Sequence, residues 1–328
     1  MSKTPIFNIL AVVQNGRLAF EAVLLAASLR QSNPNFKGRL ILAEPRGEKW
    51  GSQHHLPEGA LKERLLELGA EIIPYEAKHF GPEYPNGNKI EALSVLPAGP
   101  FLFLDTDTIV TGDLAKVPFD FNKPAASLRR EGTWPTIEPY GPGYTQTWKS
   151  LYDKFGLDFE SSLDLSQPDE YWRRYLYLNA GWFFGADAPA FGERLLHYAL
   201  QIRDHRPEAL ECQEIYPWLD QIALALCLHS FGGGRPDASL KGPDGDITCH
   251  YRTIPMLYAR ESDEAVALLE EIAKAKENRR ILRDWPQIKK MVYLNGGRKA
   301  RALFDRADLP RREQTIRSAL RREGLWLR

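Results

Sequence analysis

Cysteine is scarce in this chain. Its 328 residues hold three, Cys212, Cys227 and Cys249, and no two stand in a Cys-x-x-Cys spacing. That excludes a disulfide framework and a thiolate zinc site, and it fits a reducing compartment such as the cytoplasm. Excess charge is also missing: 43 Lys and Arg balance 43 Asp and Glu. General nucleic-acid binding wants a strong basic surplus, so nucleic acid is not an expected partner. No apolar run reaches the ~18 residues that a membrane span needs. The run from Ile6 to Val13 is interrupted by Asn8 and ends in Gln14-Asn15-Gly16. It reads as a first strand and turn rather than a signal peptide. There is no internal repeat and no low-complexity linker.

What is present is a globular composition, 43% apolar, in a length that suits one large domain or two modest ones. The first 120 residues alternate strand and helix patterns. "FNILAVV", "GRLILAE", "AEIIPYE" and "FLFLDTD" read as strands; "LAFEAVLLAASLRQ", "LPEGALKERLLELG" and "NKIEALSVL" read as the helices between them. That alternation predicts an α/β fold with a mostly parallel sheet covered by helices on both faces. From about 121 to 178 the pattern breaks into a Pro-, Gly- and aromatic-rich excursion without a period, of the kind that often carries function. "YLYLNAGWFFGAD" returns to strand character, and Asp187 is placed to cap a helix with Phe191, Leu195, Tyr198, Ala199 and Ile202 inward. A helix follows in "PWLDQIALALCLHSFGGG", and "DITCHYRTIPML" reads as a strand leading into a loop.

The stretch "FLFLDTDTIVTGDL" (101–114) sets Asp105 and Asp107 after four apolar residues. Residues two apart on a strand share a face. If the pair stays extended, its Cα atoms lie roughly 6–7 Å apart. Two carboxylates at that range repel by roughly 2–3 kcal/mol at an effective dielectric of ~20. A cation between them removes the cost. Carboxylate oxygens suit Mg²⁺ or Mn²⁺, which in turn bind phosphate oxygens. Ligands of open parallel sheets bind at the carboxyl ends of the strands, where this pair falls. The bland alternative is two surface aspartates in a turn.

Two enzyme classes place such a pair after an apolar strand. Haloacid-dehalogenase-like phosphohydrolases would use Asp105 as nucleophile and Asp107 as acid/base, but their motif ends the first strand, and here three strand patterns precede it. A non-catalytic nucleotide- or carbohydrate-binding module is a further alternative. The order of motifs favours the other enzyme class. "NKIEAL", "FLFLDTDTIVTGDL", "LNAGWFFG", "LDQIALALCL" and "CHYRTIP" together resemble the nucleotide-sugar glycosyltransferases of the GT-A fold, in particular glycosyltransferase family 8 and its relatives. The resemblance covers roughly residues 6 to 258.

The resemblance implies a metal-dependent transfer of a sugar from a nucleoside-diphosphate donor (a UDP- or GDP-sugar) to a carbohydrate, lipid or protein hydroxyl. Mn²⁺ or Mg²⁺ would be held by Asp105, Asp107 and His250, with Asp105 also near the ribose or a metal-bound water. Val13, Gln14 and Asn15 would meet the base. Thr106 lies between the two aspartates, and Asn179, Ala180 and Gly181 would line the donor sugar. Asp220, with Gln221 beside it, would bind sugar hydroxyls or act as general base. "HYRTIPML" lacks the Gly and Lys of the family's His-x-x-Gly-x-x-Lys-Pro, so Arg252 or Lys89 is expected to steady the diphosphate in place of that lysine. Trp134, Tyr140, Tyr144 and Trp148 are candidates for an acceptor platform.

The predicted division is a GT-A-like domain over 1–258 and a helical extension over 259–328. From 279 to 328, 15 Lys and Arg face 5 Asp and Glu, and "LPRREQTIRSALRREGLWLR" is a basic amphipathic helix with Ile316, Ala319 and Leu320 on one side. It would either pair with the acidic remainder of the fold or attach the enzyme to the inner membrane surface.

Overall fold

A computed structural model describes residues 5–129 and 132–327. Its centre is a six-stranded sheet in the order β3-β2-β1-β4-β7-β6. The strands are β1 (Asn8–Val12), β2 (Leu40–Arg46), β3 (Ala70–Glu76), β4 (Phe101–Leu104), β6 (Ala126–Ser127) and β7 (Asn179–Gly185). The first four are mutually parallel, while β7 runs antiparallel to both β4 and β6. The two remaining strands, β5 (Thr108–Val110) and β8 (Thr248–His250), form a separate antiparallel pair.

The helices are α1 (Arg17–Ser32), α2 (Ala60–Glu67), α3 (Asn88–Glu91), α4 (Tyr144–Phe155), α5 (Ala188–Asp204) and α6 (Leu219–Ser230). They are followed by α7 (Ile254–Arg260), α8 (Asp263–Lys274), α9 (Lys276–Leu282), the short α10 (Pro286–Ile288), α11 (Gly296–Ala302) and α12 (Glu313–Arg322).

Alternation along β1 shows how the sheet is covered. Ile9, Ala11 and Val13 enter one apolar cluster with α1 and the C-terminal helices; Leu10 and Val12 enter another with α5 and α6. A parallel sheet buried on both faces should behave in this way. The extension is part of that packing, since Met291, Ile316 and Leu320 lie in the same cluster as Ile9.

Three local differences from the sequence expectations have physical causes. The strand of "FLFLDTD" ends at Leu104, and Asp105 to Asp107 form a bend rather than extended chain. The Asp105 amide donates to the Gly181 carbonyl at 2.9 Å, as a last bond to β7, and the Asp107 carbonyl accepts from the Tyr251 amide at 2.9 Å. The acidic stretch is therefore where the backbone leaves one sheet and joins the other. Within 121–178, α4 hides inside the irregular stretch: on its buried face, Thr147, Trp148, Leu151 and Tyr152, all but Leu151 are polar or aromatic. After His250 the chain does not continue as a loop but enters α7, with Pro255 in its first turn and the Thr253 hydroxyl accepting from the Met256 amide. That is the place a helix accepts proline.

Candidate active site

Parallel strands end together, and the ends of β1 and β4 open into a cavity of about 590 Å³. β5 pairs with β8 so that Thr108 lies opposite His250, which brings His250 beside Asp107 across 142 intervening positions of sequence. His250 Nε2 stands 3.1 Å from Asp107 Oδ1 and 3.7 Å from Asp105 Oδ2. One ligand atom from each of Asp105, Asp107 and His250 lies within 4.8 Å of the others. Two carboxylates and an imidazole form a donor set that suits Mn²⁺ well and Mg²⁺ less well. The spacings match those of ligands sharing one ion at ~2.1 Å, so the residues present fit the metal that the resemblance implies.

Cations surround the acids. Lys89 Nζ donates to Asp105 Oδ2 at 2.9 Å and lies 3.8 Å from Asp220 Oδ2. Arg17, at the start of α1, lies 3.7 Å from Asp107 Oδ2 and bonds Glu21 at 2.8 Å. Burial works against ionisation of Asp107, but His250, Arg17 and Lys89 outweigh it and hold its carboxyl well below the usual carboxylate range. Glu21 is pushed up, first by burial and then by repulsion from Asp107, with Arg17 and the Thr106 hydroxyl holding it back. For Lys89, burial lowers the pKa, but Asp105 and Asp220 raise it more.

Asp220 opens α6, and the Tyr84 hydroxyl clamps it. The Tyr84 hydroxyl donates to Asp220 Oδ1 at 2.9 Å and accepts from the Asp220 amide at 2.7 Å. Burial raises the Asp220 pKa, against the pull of Lys89 and Tyr84. On the side of β1, Asn88 Nδ2 donates to Gln14 Oε1 at 3.4 Å. That leaves Gln14 Nε2 and Asn88 Oδ1 buried without partners, both on residues that line the cavity. Buried polar groups are nearly always bonded, so an unpaired donor and acceptor side by side call for a ligand.

Gln14, Lys89, Asp105, Thr106, Asp107, Asn179, Ala180, Asp220, Gln221, His250 and Arg252 all line the cavity. Three residues expected in the site do not. Val13 is fully buried in the core, because the pleat turns it away and presents Val12 instead. Asn15 sits in the exposed turn, where its side chain donates to the Gln53 carbonyl at 3.0 Å. Gly181 lies behind the site: its amide donates to Asn179 Oδ1 at 2.8 Å, and a Cβ there would stand 2.3 Å from His250 Nδ1. Only glycine leaves that room for the imidazole.

The four aromatics of the excursion do not face the cavity. Trp134 and Trp148 are buried edge to face on each other, and Trp134 Nε1 donates to the Glu214 carbonyl at 3.0 Å. Tyr144 stacks on Tyr175, which leaves Tyr140 exposed. The structure adds residues that the sequence reading did not place: Arg17, Tyr84, Asn88 and, from the C-terminal end, Arg317, Arg321 and Trp326. Like charges at Asp105 and Asp107 already called for cations nearby; nothing in the local pattern pointed to residue 326. Ile316 and Leu320 are buried, so the apolar side of α12 is spent inside the fold. Among the described residues, no helix is long and apolar enough to cross a membrane.

Carboxylates and an imidazole gathered beside the carboxyl ends of a mostly parallel sheet make a candidate metal-binding active site. The model of the Rhodobacterales glycosyltransferase domain matches residues 9–232, and the chain belongs to that family. It is a glycosyltransferase. Among solved structures it is similar to the galactosyltransferase LgtC, crystallised with donor and acceptor sugar analogues (15% identity, TM-score 0.40, 71% of this chain and 74% of that one). It is also similar to the glycosyltransferase GlyE of Streptococcus pneumoniae TIGR4 (16%, 0.43, 87% and 65%). A third likeness is to the bifunctional glycosyltransferase WbbM (14%, 0.45, 86% and 52%). At such identities and TM-scores, the family match carries the assignment. No curated protein matches the chain.

Proposed function

We propose that the protein is a metal-dependent glycosyltransferase of the GT-A type that moves a sugar from a nucleoside-diphosphate donor to an acceptor hydroxyl. The observation that carries this reading is the meeting of Asp105, Asp107 and His250 in one cavity, in a chain of a glycosyltransferase family. A divalent ion bound by these three side chains supplies positive charge against the negative charge that builds on the departing diphosphate. Lys89 and Arg252 add fixed cations on the same cavity wall, in place of the lysine that the C-terminal motif lacks.

Gln14 Nε2 and Asn88 Oδ1 offer a donor and an acceptor side by side, which fits the hydrogen-bonding edge of a UDP or GDP base. Asn179 and Ala180 are placed to line the donor sugar. Asp220, fixed by Tyr84 and with its pKa raised, is placed to bind sugar hydroxyls or to take the acceptor's proton. The free cysteines fit a cytoplasmic enzyme. With the apolar side of α12 buried, any attachment to an inner membrane surface rests on charge alone.

Incubation with a panel of UDP- and GDP-sugars tests the reading. Release of free sugar or UDP/GDP that needs Mn²⁺ or Mg²⁺ and stops with EDTA is expected. Release indifferent to EDTA would remove the metal role.

A further inference from the structure

Arg17 stands where its own helix does not favour it. It is the first residue of α1, which runs 16 residues and has no acid in its first turn. A cation at the positive end of a helix dipole is disfavoured, and arginine four residues ahead of glutamate is the weaker order of that pair. Two acids hold it there. Its Nη1 bonds Glu21 Oε1 at 2.8 Å and lies 3.7 Å from Asp107 Oδ2. We propose that Arg17 couples metal and donor binding: it opposes a cation beside Asp107, and it is drawn to the donor's diphosphate when ion and donor bind together, so that each binds more tightly with the other present. The proposal rests on the metal and donor reading above and names the residue that regulates that site.

The geometry divides Asp107 between two sides. Oδ1 stands 3.1 Å from His250 Nε2, on the side of the candidate ligands, and Oδ2 faces Arg17. At 3.7 Å the Arg17 contact is an ion pair without a hydrogen bond, so an arriving positive charge can replace it. Like charges around one carboxylate repel, and Arg17 therefore weakens the hold of the three ligands on a cation. Lys89 differs, because it donates directly to Asp105 at 2.9 Å and is only 17% exposed. Arg17 is 43% exposed and lines the cavity. Among the described residues, its side chain makes one hydrogen bond, the one to Glu21. Its other N–H groups are left for phosphate oxygens, which a guanidinium fork suits.

Glu21 sets how closely Arg17 approaches. Its side chain is 1% exposed, with Oε1 on Arg17 and Oε2 accepting from the Thr106 hydroxyl at 3.2 Å. Anchored there, Arg17 reaches Asp107 at ion-pair range and no nearer. The competing explanation is structural: Arg17 and Glu21 fasten α1 to the acidic bend and do nothing else. Losing either half of a fastener loosens the metal ligands and weakens metal binding. Coupling instead gives the two residues effects of opposite sign, since Arg17 repels a cation and Glu21 both attracts it and holds Arg17 back.

The test is titration with Mn²⁺, followed by the electron paramagnetic resonance of the free ion, on wild type, Arg17→Met and Glu21→Gln. Each is titrated alone and with UDP or GDP, corrected for Mn²⁺ held by free nucleotide. In wild type one nucleotide is expected to tighten Mn²⁺ binding about fivefold or more. Arg17→Met is expected to bind Mn²⁺ alone tighter than wild type by about fivefold or more, and to lose most of the nucleotide's effect. Glu21→Gln is expected to bind Mn²⁺ alone more weakly and to keep the nucleotide's effect. Mn²⁺ binding unchanged or weakened in Arg17→Met, or an undiminished nucleotide effect there, overturns the proposal. If Arg17→Met does not fold, Glu21→Gln decides: Mn²⁺ bound as in wild type, or a nucleotide effect lost, overturns it. Wild type that binds Mn²⁺ equally with and without nucleotide overturns the coupling and leaves the metal site standing. Failure of the metal and donor reading shows separately, as wild type that binds no Mn²⁺ with either nucleotide, and it removes the coupling with it.

Discussion

On the proposed function, Asp107 is the residue on which the chemistry turns. It is held ionised by His250, Arg17 and Lys89, so a neutral replacement removes a proposed ligand and leaves three positive or polarisable groups around a gap. Asp107→Ala is expected to cut metal-dependent donor turnover by about 10²-fold or more, with unchanged circular dichroism. Near-normal turnover would take Asp107 out of the metal site. Gly181→Ala acts through His250 instead. The added methyl meets the imidazole at 2.3 Å, and displacing a ligand through its support typically costs ~10–100-fold in metal affinity. Titration of the variant with Mn²⁺ measures the loss; an unchanged affinity would free His250 from the role. Tyr84→Phe removes a hydrogen bond that lowers the Asp220 pKa. If turnover needs Asp220 ionised, the acid limb of the pH–rate profile moves to higher pH in this variant. A limb that stays where it was separates Asp220 from the rate.

At the scale of elements, the C-terminal helices matter because they close the site's far side. Arg129, Arg260 and Glu261 connect the end of β6 to α7, and Glu313 connects α12 to Arg260. Burial works to raise the Glu261 pKa, but Arg129 and Arg260 outweigh it and set it below the ordinary value. Stability from this group is therefore fully present above the unfolded-state value of ~4.3 and is lost as pH falls through the lower folded-state value. Glu261→Gln leaves Arg260, mostly buried, and Arg129, partly exposed, short of a partner and should cost somewhat less near pH 7 than the ~3–5 kcal/mol of breaking a fully buried pair. Denaturant melts of both proteins from pH 7 to pH 3 should show the gap narrowing below the ordinary glutamate range. A gap constant with pH would contradict the pairing.

Elements also show what was legible beforehand. β1 to β4 were readable because each is an apolar run closed by turn residues, and β3 falls on "AEIIPYE" to the residue. β8 was readable within "DITCHYRTIPML", but β5, three residues with no period, was not, nor was the pairing of the two. Yet that small sheet is what delivers His250. α4 was masked by the polar and aromatic residues on its inner face. The acidic pair was legible because two carboxylates after "FLFL" need an explanation. Its neighbours Arg17, Arg317 and Trp326 were not, because they depend on which distant helix reaches the cavity.

For the whole molecule, the sheet supplies a rigid floor, the β5–β8 pair the edge that sets His250 beside Asp107, and the extension an arginine-rich wall. The sequence's even charge balance conceals this segregation, with the basic surplus of the last fifty residues set against an acidic remainder. The most direct test of the account is the melting temperature of wild type and Asp107→Ala with UDP or GDP, each with and without Mn²⁺. A ligand that binds only the folded state raises that temperature. One of the two nucleotides should stabilise wild type only when Mn²⁺ is present and should leave Asp107→Ala unmoved. Stabilisation of wild type without Mn²⁺ to the same degree, or of the variant as strongly as wild type, would contradict the account.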